Sequence, residues 1–241
     1  MARSTIQTPA RGDATREALV SAAIAAFSRD GFDAASTRAI AEAAGVPQAL
    51  IGYHFRGKEG LYLAVFEHIA GELEKRLGPI GDAVVAAFGD PRGQARRRHL
   101  ELLLRMVDTV TLVLSSDESA TWAQLVLREQ QAPTRAFEIL YARVFRRIGD
   151  LVTRLVASVR GGGTEMEARL TVVAIMGQVV VLRASRASVL RQLGWSKIGD
   201  DEVAVLREHM RKTITALLRP AKSAAAAGPN TRAQKRKREM R

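Results

Sequence analysis

Apolar residues recur at intervals of three and four along most of the chain, which is the spacing of one buried face of an α-helix. The first such segment begins at Asp13 or Thr15 and ends at Gly31. Its apolar face consists of Leu19, Ala22, Ala23, Ala26 and Phe27. No segment alternates with the period of two that a half-buried strand requires. The pattern therefore predicts an all-α protein.

Eight further helices are predicted from the same spacing. They cover residues 37–44, 47–55, 58–77, 94–114, 118–131, 134–159, 164–193 and 200–218. Glycine and proline mark most of the ends, because glycine favours a left-handed residue after a helix and proline cannot continue one. Gly78, Pro79 and Gly81 are expected to end the fourth helix, and Pro133 the sixth.

The second and third predicted helices are short and separated by a tight turn. Ile40, Ala41 and Ala44 share one face of the second helix, and Thr37 is placed to cap its start through the hydroxyl. Gly45 follows directly and suits the left-handed residue that ends a helix. Two helices joined in this way, with the pair spanning about residues 36–55, match a helix-turn-helix.

The outward face of the third predicted helix is the candidate DNA-reading surface. Pro47 suits the first position of this helix, and Ile51 and Phe55 bury one side of it. The residues left facing outward are Gln48, Ala49, Gly52, Tyr53 and, as one alternative, Leu50. In a helix-turn-helix, such a face enters the major groove.

The charge of the chain is concentrated at its C-terminal end. The formal net charge is +12, which favours a polyanionic partner such as nucleic acid or an anionic membrane surface. Residues 219–241 contain eight basic residues and one acidic residue and so carry +7 of that charge. The basic balance is therefore mainly a property of the tail and says little about the folded body.

Several classes of protein are disfavoured by what the sequence contains. The chain has no cysteine, so disulfides, thiolate metal sites and cysteine nucleophiles are ruled out. The N-terminus has no apolar core of the secretory type, and the longest apolar run, residues 170–182, is 13 residues long. A bilayer-spanning helix needs about 20. The expected location is the cytoplasm.

The chain divides into four predicted parts. Residues 1–12 form a basic arm, either disordered or in contact with DNA phosphates, and residues 13–73 form the DNA-binding domain. Residues 74–218 form a larger helical domain. Residues 219–241 form a disordered tail, either simply solvated or adding nonspecific attraction to DNA.

A series of short motifs over residues 15 to about 70 resembles the N-terminal domain of TetR-type transcriptional regulators. In order along the chain they are Phe27, Gly31-Phe32, Thr37-Arg38-Ala39-Ile40-Ala41, Ala44-Gly45-Val46, Tyr53-His54-Phe55 and Lys58-Glu59-Gly60-Leu61. The resemblance implies a three-helix DNA-binding domain followed by a helical ligand-binding and dimerisation domain. Pro47 and Gly52 depart from the residues common in that family, so the target sequence cannot be transferred from its members.

The second half of the chain resembles the CecR-like (YbiH-like) subgroup of the same family. The residues that carry this resemblance are Arg128-Glu129-Gln130, Pro133-Thr134, Gly177, Arg183, Arg191 and Gly194-Trp195. It implies an all-helical domain that binds a ligand and dimerises. It also suggests that Arg128 and Glu129 are inward-facing polar groups, although a surface ion pair is the alternative.

The DNA-binding residues divide into those that position the protein and those that read bases. Lys58, Thr37 and Arg38 lie at helix starts and are candidates for phosphate contacts. Tyr53 and His54 end the reading helix, where they either reach the backbone of DNA or pack in the core. Gln48 can pair with adenine, and Ala49 and Leu50 can contact a thymine methyl. Leu50 could instead be buried, and Lys58 could be an ordinary solvated charge.

A ligand pocket is predicted among the fifth to eighth helices. Its apolar candidates are Met106, Trp122, Leu125, Phe137, Met176 and Val180. Its polar candidates are Arg128, Glu129, Gln178 and Arg183. Binding sites for small molecules combine an apolar lining with a few polar groups, although ordinary core packing is the commoner role for any one of these apolar residues.

The predicted function is a ligand-responsive, sequence-specific transcriptional regulator, most simply a repressor that a small molecule releases from a palindromic operator. A homodimer would place two reading helices on one DNA. Its interface is assigned to the eighth and ninth predicted helices, because the eighth is apolar nearly all round and must be covered on several sides, although burial within a single subunit is the alternative. No cofactor or metal is expected, and no catalytic motif is present; the four histidines are scattered and no phosphate-binding glycine loop occurs. The alternative is an architectural, nucleoid-type DNA-binding protein without a ligand, and a basic membrane-surface protein fits less well.

Overall fold

The computed structural model describes residues 11–89 and 95–219, and within these ranges the chain is helical with no strand. The helices are α1 (Arg11–Ala34), α2 (Thr37–Ala43), α3 (Ala49–Phe55), α4 (Lys58–Phe88), α5 (Ala95–Ser115), α6 (Asp117–Gln131), α7 (Arg135–Leu140), α8 (Arg146–Arg160), α9 (Glu165–Ala184), α10 (Arg186–Leu193) and α11 (Asp200–Leu217). A π-helical turn, Tyr141–Phe145, joins α7 to α8. The predicted all-α class is confirmed. The arm and the tail lie outside the described residues, apart from 11, 12 and 219.

The N-terminal head is formed by α1, α2 and α3 packed on the first half of α4. Leu19 and Phe27 of α1, Ile40 of α2 and Ile51 of α3 are almost completely buried, and they meet Phe66 of α4 in one core. Gly31 has a φ of 81° and interrupts α1, as predicted from its position. The apolar face predicted for each of α1, α2 and α3 is therefore the face that folds inward.

The turn of the helix-turn-helix is a Schellman motif. The Val46 amide donates to the carbonyl of Ala41 at 3.0 Å, and the Gly45 amide donates to that of Glu42 at 3.1 Å. Gly45 adopts a φ of 67°, a conformation in which a side chain is strained, so the predicted role of this glycine is confirmed.

The cap of α2 differs from the prediction. Ser36, not Thr37, is the capping residue, and its Oγ accepts from the amide of Ala39 at 3.4 Å. Thr37 is the first helical residue. Serine and threonine are both good capping residues. Ser36 is the cap because it has the extended backbone of that position, with φ of −95°, whereas Thr37 is already helical.

Helix α4 continues through the proline and glycines that were expected to end it. It runs 31 residues, from Lys58 to Phe88, with Pro79 inside, so the predicted end near residue 77 is wrong. An internal proline costs about 3 kcal/mol. Ile80 and Val84 beyond it are buried, and each contributes about 1.5–3 kcal/mol, which offsets that cost. The continuous α4 also crosses the predicted domain boundary at 73/74, which stays a prediction.

The predicted eighth helix is two helices. Ser185 has φ of −124° and ψ of 33°, outside the helical region, and it separates α9 from α10. The two helices differ in burial: α9 buries Ala168, Ile175, Val179 and Leu182, whereas α10 buries none of its residues. Over the described ranges no single helix is long and apolar enough to cross a membrane; α9 and α10 meet that criterion only as a pair, which is bent by 90°.

A buried carboxylate joins the head to the larger domain. Glu129 of α6 is 4% exposed, and it accepts from the hydroxyl of Tyr62 on α4 at 3.0 Å. Its second oxygen accepts from the Thr134 hydroxyl at 2.8 Å, the Thr134 amide at 2.9 Å and the Phe137 amide at 3.2 Å. Burial, and then the bond to Glu129, raises the pKa of Tyr62 above its usual value. The carboxylate therefore ties α4 to the start of α7.

The side chain next to Glu129 makes a second link between the two parts. The Arg128 guanidinium donates to the carbonyl of Phe27, at 3.0 Å, and so reaches α1 of the head. On the same pair of helices, the Ser28 hydroxyl donates to the carbonyl of Thr121. Helix α6 is consequently fixed to both α1 and α4.

Gly60 is required where α3 passes the first turn of α4. A Cβ at this position would lie 1.7 Å from the carbonyl oxygen of Phe55, whereas a Cβ at Gly71 on the same helix would meet nothing within 4 Å. We expect Gly60→Ala to destabilise the protein by about 3 kcal/mol, as overpacking does. Gly71→Ala is the matched control, expected to stabilise by up to about 1 kcal/mol. Thermal and urea unfolding measure both, and equal effects would contradict this role of Gly60.

The Tyr62–Glu129 pair is expected to show strong coupling in a double-mutant cycle. Glu129→Ala leaves buried donors without an acceptor and should cost about 3 kcal/mol, whereas Tyr62→Phe removes one hydrogen bond and should cost about 1 kcal/mol. In the Glu129→Ala background, Tyr62→Phe should cost less, because the phenol then has no acceptor to lose. Urea unfolding of the four proteins measures the coupling, and simple additivity would show that the hydrogen bond contributes nothing.

Candidate nucleic-acid interface and ligand cavity

The sequence-predicted DNA-binding residues lie on three packed elements of the head: the start of α2, the turn with α3, and the first residue of α4. Six are exposed, namely Arg38, Pro47, Gln48, Ala49, Gly52 and Tyr53. The other four are half-buried, namely Thr37, Leu50, His54 and Lys58. Tyr53 is 80% exposed, an unusual environment for a large ring on a folded surface, and so it is available to a partner.

Gln48 is held in place before any DNA is bound. Its side-chain Nε2 donates to the hydroxyl of Thr37 at 3.0 Å, across the turn between α2 and α3. Helix α3 begins at Ala49, two residues later than predicted, and its first backbone bonds are accepted by Pro47 and Gln48. The structure therefore places Gln48 at the start of α3 and ties it to a residue at the start of α2.

Lys58 has a structural role in addition to any contact with phosphate. Its ammonium donates to the carbonyl of Asp33 at 2.8 Å and lies 5.0 Å from the centre of the Phe32 ring. A cation over an aromatic face is attracted by the ring. Lys58 thus joins the start of α4 to the last turn of α1, after the kink at Gly31, a contact that the sequence did not reveal.

Leu50 and His54 lie between the core and the exposed face. Leu50 packs against the buried core, and the His54 ring contacts the rings of both neighbours, with centroids 5.0 Å from Tyr53 and 6.0 Å from Phe55. Both residues belong to α3, but much of each side chain packs against other residues of the head.

A cavity of about 400 Å³ lies in the larger domain, between α4, α5, α6, α7, the π turn, α8 and α9. Five of the predicted pocket residues line it: Trp122, Phe137, Met176, Val180 and Arg183. Helix α6 lines the cavity with Trp122, Ala123, Val126, Leu127 and Gln130. The helix that is fixed to the head by Arg128 and Glu129 therefore also forms a wall of this cavity.

The other five predicted pocket residues are placed elsewhere. Met106 and Leu125 are each 1% exposed and belong to the close-packed core. Arg128 and Glu129 face the head, and the side-chain Oε1 of Gln178 accepts from the hydroxyl of Thr213 on α11 at 3.0 Å. Their helical spacing was compatible with a pocket, but spacing alone cannot say which neighbour a buried face meets.

The sequence missed part of the cavity wall that comes from the π turn and α4. Tyr141, Val144 and Phe145 of the turn and Leu73 and Leu77 of α4 line the cavity. An amphipathic stripe over residues 134–159 was visible, but the π turn that interrupts it has no recognised sequence signal. On its other side the turn carries Arg143.

Arg143 holds the π turn to α4. Its Nε donates to Glu74 at 3.0 Å, and its two terminal nitrogens pair with Glu74 and Glu67. The hydrogen bond from Arg143 is the main reason that the pKa of Glu74 lies below its usual value. The cavity wall is thereby connected to the helix whose first residue is Lys58.

The described residues offer no metal centre: among them, no three His, Asp or Glu side chains come close enough together to hold a metal ion.

Comparison with known proteins gives matches over both parts of the chain. The family model described as bacterial regulatory proteins of the tetR family matches residues 19–65. The model described as the C-terminal domain of the HTH-type transcriptional dual regulator CecR matches residues 98–220. The HTH-type transcriptional dual regulator CecR of Shigella flexneri is 27% identical over 209 residues, which cover 86% of this chain and 93% of that protein.

Solved structures of similar fold include two with high coverage. A TetR-like transcriptional regulator from Rhodococcus sp. RHA1 is 21% identical, with a TM-score of 0.58, covering 87% of this chain and 99% of its own. AibR, solved in complex with isovaleryl coenzyme A and operator DNA, is 15% identical, with a TM-score of 0.61, covering 83% of this chain and 97% of its own. At these identities the likeness shows the fold alone.

The CecR-type model covers half of the chain, and the tetR model covers the helix-turn-helix that the geometry had already placed on the surface. The chain therefore belongs to the TetR family of transcriptional regulators, with a C-terminal half of the CecR type.

Proposed function

We propose that this regulator binds a palindromic operator as a homodimer through α3 and leaves it when a small molecule fills the cavity between α4 and α9. The observation that carries the proposal is the position of α6. This one helix lines the cavity and is hydrogen-bonded to the head at Phe27 and Tyr62. The protein would act in the cytoplasm, where its DNA target is found.

Recognition of bases is assigned to few side chains. Gln48 is the long polar side chain at the exposed tip of α3, and a glutamine can make two hydrogen bonds to adenine in the major groove. Ala49 and Gly52 are small and exposed, which allows the helix to lie close to the bases. Arg38 and Tyr53 are exposed beside it and are suited to phosphate contacts.

The dimer surface is assigned to the outward faces of α9 and α11, which form most of the predicted eighth and ninth helices. Large apolar side chains are exposed on both: Met166, Leu170, Val173 and Val181 on α9, and Val205 and Leu217 on α11. On α9, Met166, Leu170 and Val173 follow one another at helical spacing and so share one exposed face, as the apolar residues of an interface do. A two-fold dimer would place the two α3 helices about 34 Å apart, or a multiple of that distance.

Release from DNA is a shift between two populations. In one form of the dimer the reading helices have the spacing of the operator, and in the other they do not. A ligand changes operator occupancy only by its difference in affinity for the two forms. The clamp of Arg143 on Glu67 and Glu74 and the Tyr62–Glu129 bond are the contacts through which a filled cavity would move α4 and the head.

An architectural DNA-binding protein without a ligand is the alternative, and the apolar cavity gives it no support. Binding that ignores sequence and disappears at moderate salt would favour it. Selection of bound DNA from a random pool separates the two functions, because a recovered palindrome requires both base reading and a two-fold dimer.

Gln48→Ala should relax base preference, whereas Arg38→Ala should weaken binding to all sequences alike. Loss of a bidentate contact costs about 1–3 kcal/mol at the matching base, and loss of one phosphate contact lowers the salt slope by about 1. Gel shifts with operator and mutated-operator DNA over a salt series measure both effects. Lys58→Ala is a poorer probe, since Lys58 also holds Asp33. Identical effects of Gln48→Ala and Arg38→Ala on all sequences would show that this division of roles is wrong.

Placing a charge on the exposed stripe of α9 should break the dimer. Leu170→Glu combined with Val173→Glu is expected to give a monomer with at least ten-fold weaker operator binding, because burying two unpaired carboxylates is strongly unfavourable. Val85→Glu, at a valine of α4 that is 51% exposed, is the control and should remain dimeric. Light scattering after size exclusion measures the mass, and an unchanged mass for the double variant would move the interface elsewhere.

A further inference from the structure

The chemistry of the cavity points to a class of ligand. We infer that the cavity binds an uncharged, largely apolar molecule that contains an aromatic ring and stacks against the π turn Tyr141–Phe145. The inference rests on the proposed function only in taking this molecule to be the effector; its binding to the cavity can be tested separately.

The lining is apolar over almost all of its area. Among the described residues that line the cavity, polar side-chain atoms come from Trp122, Gln130, Tyr141 and Arg183; the others have apolar side chains or, at Gly149, none. A charged group that enters such a cavity loses its hydration and gains few hydrogen bonds in return. Most of a bound molecule must therefore be apolar.

The arginine on the wall is already used to hold the protein together. Arg183 is the one charged residue among the described lining residues, and its Nη2 donates to the Ser116 carbonyl and to the Ser119 hydroxyl, both at 3.0 Å. Ser116 caps the start of α6. Both hydrogens on this nitrogen are therefore engaged at the corner between α5 and α6. A carboxylate could form the usual two parallel bonds to the guanidinium through Nη2 only by displacing these contacts.

The polar pocket candidates that would suit a charged ligand face other neighbours. Glu129 and Arg128 bond to the head, and Gln178 bonds to Thr213. Folding has thus removed from the cavity three of the four polar groups that the sequence had suggested for it, and the fourth, Arg183, is held by Ser116 and Ser119.

Aromatic rings form a continuous strip along one wall. The Phe137 ring stacks on that of Tyr141, with centroids 5.8 Å apart and planes inclined by 25°, and lies 6.4 Å from that of Phe145. All three rings line the cavity, and Trp122 of α6 adds a fourth. Aromatic rings pair preferentially in offset and edge-to-face arrangements, so this strip favours a ligand that carries a ring of its own.

The π turn connects this wall of the cavity to α4. Three of its five residues, Tyr141, Val144 and Phe145, line the cavity, and a fourth, Arg143, is clamped to α4. Single π turns occur often at functional sites. A ring that pushes on Tyr141 and Phe145 acts directly on the element that holds α4.

The volume sets the size of the ligand. At about 400 Å³ the cavity lies in the range of about 300–1,000 Å³ that holds drug-sized molecules. Nucleotides, sugars and coenzyme A thioesters are too polar for this cavity, since their phosphates or hydroxyls would lose water and be buried against apolar side chains.

Two fluorescent probes that differ by a single charged group test the inference. N-phenyl-1-naphthylamine is uncharged, and 8-anilinonaphthalene-1-sulfonate has the same rings with an added sulfonate. We expect the full-length protein to bind the uncharged probe at least ten-fold more tightly than the sulfonate, and octanoyl coenzyme A not to displace it. Equal or tighter binding of the sulfonate, or displacement by octanoyl coenzyme A, would overturn the assigned class.

A matched pair of substitutions places the probe in the cavity. Leu114 lines the cavity and Leu112 is 48% exposed on the same helix, α5. Leu114→Trp should weaken binding of the uncharged probe at least ten-fold, whereas Leu112→Trp should change it less than two-fold. Val180→Phe fills the cavity from α9 and serves if Leu114→Trp does not fold, with melting curves recorded for each. Unchanged binding in a folded cavity-filling variant would overturn the site.

A readout without any cavity substitution uses the two tryptophans of the chain. In Trp195→Phe the remaining tryptophan is Trp122 on the cavity wall, and the uncharged probe should quench its emission in step with binding. Binding that leaves Trp122 emission unchanged would overturn the location independently of the cavity variants.

Operator release is measured separately, by gel shift with the same probe. If the probe binds in the cavity but does not release the protein from operator DNA, the ligand class is supported and the effector function is refuted. Release by a charged molecule that depends on Leu114, without binding of the uncharged probe, would refute the ligand class and leave the effector function standing.

Discussion

The continuity of α4 is the constraint on which the rest of the structure depends. One helix of 31 residues, about 46 Å at 1.5 Å per residue, begins at the candidate DNA-reading surface and ends beside α5 and α8. It stays unbroken at Pro79 because the residues beyond the proline are buried. Phe66 packs in the head and Leu73 and Leu77 line the cavity, so both functional surfaces are built on the same rigid element.

Because α4 is rigid and shared by both domains, a contact made on it near the cavity is connected mechanically to the head. Glu129 and Arg143 approach α4 from two different elements, α6 and the π turn, and each of those elements also lines the cavity. The two contacts differ in kind. Glu129 is buried and accepts four hydrogen bonds, so its loss is expensive, whereas the Arg143 clamp is partly solvated and screened. The first suits holding the head in place, and the second suits a contact that moves.

The head was predictable because its signals are local. The glycine at 45, the paired faces of Ile40 and Ile51, and the outward position of Gln48 all follow from spacings of a few residues. The errors there concern ends: the cap of α2 is Ser36, and α3 begins at Ala49. In the larger domain, likewise, α4 passes Pro79. The cap of α2 and the length of α4 depend on what the segment packs against, since either of two neighbouring residues could cap α2, and burial of later residues decided whether the proline ended α4.

The sequence by itself determined the helical class, the helix-turn-helix and the amphipathic faces, because each is a periodicity that a single segment must satisfy to bury its own apolar side. Only the tertiary structure decided which buried face meets which. Met106 and Leu125 pack in the core, Arg128 and Glu129 bond to the head, and Tyr141 and Phe145 line the cavity. The apolar stripe of one helix does not specify which other helix covers it. The cavity is lined by six helices and a π turn, so it could not be predicted before the packing of those helices was known.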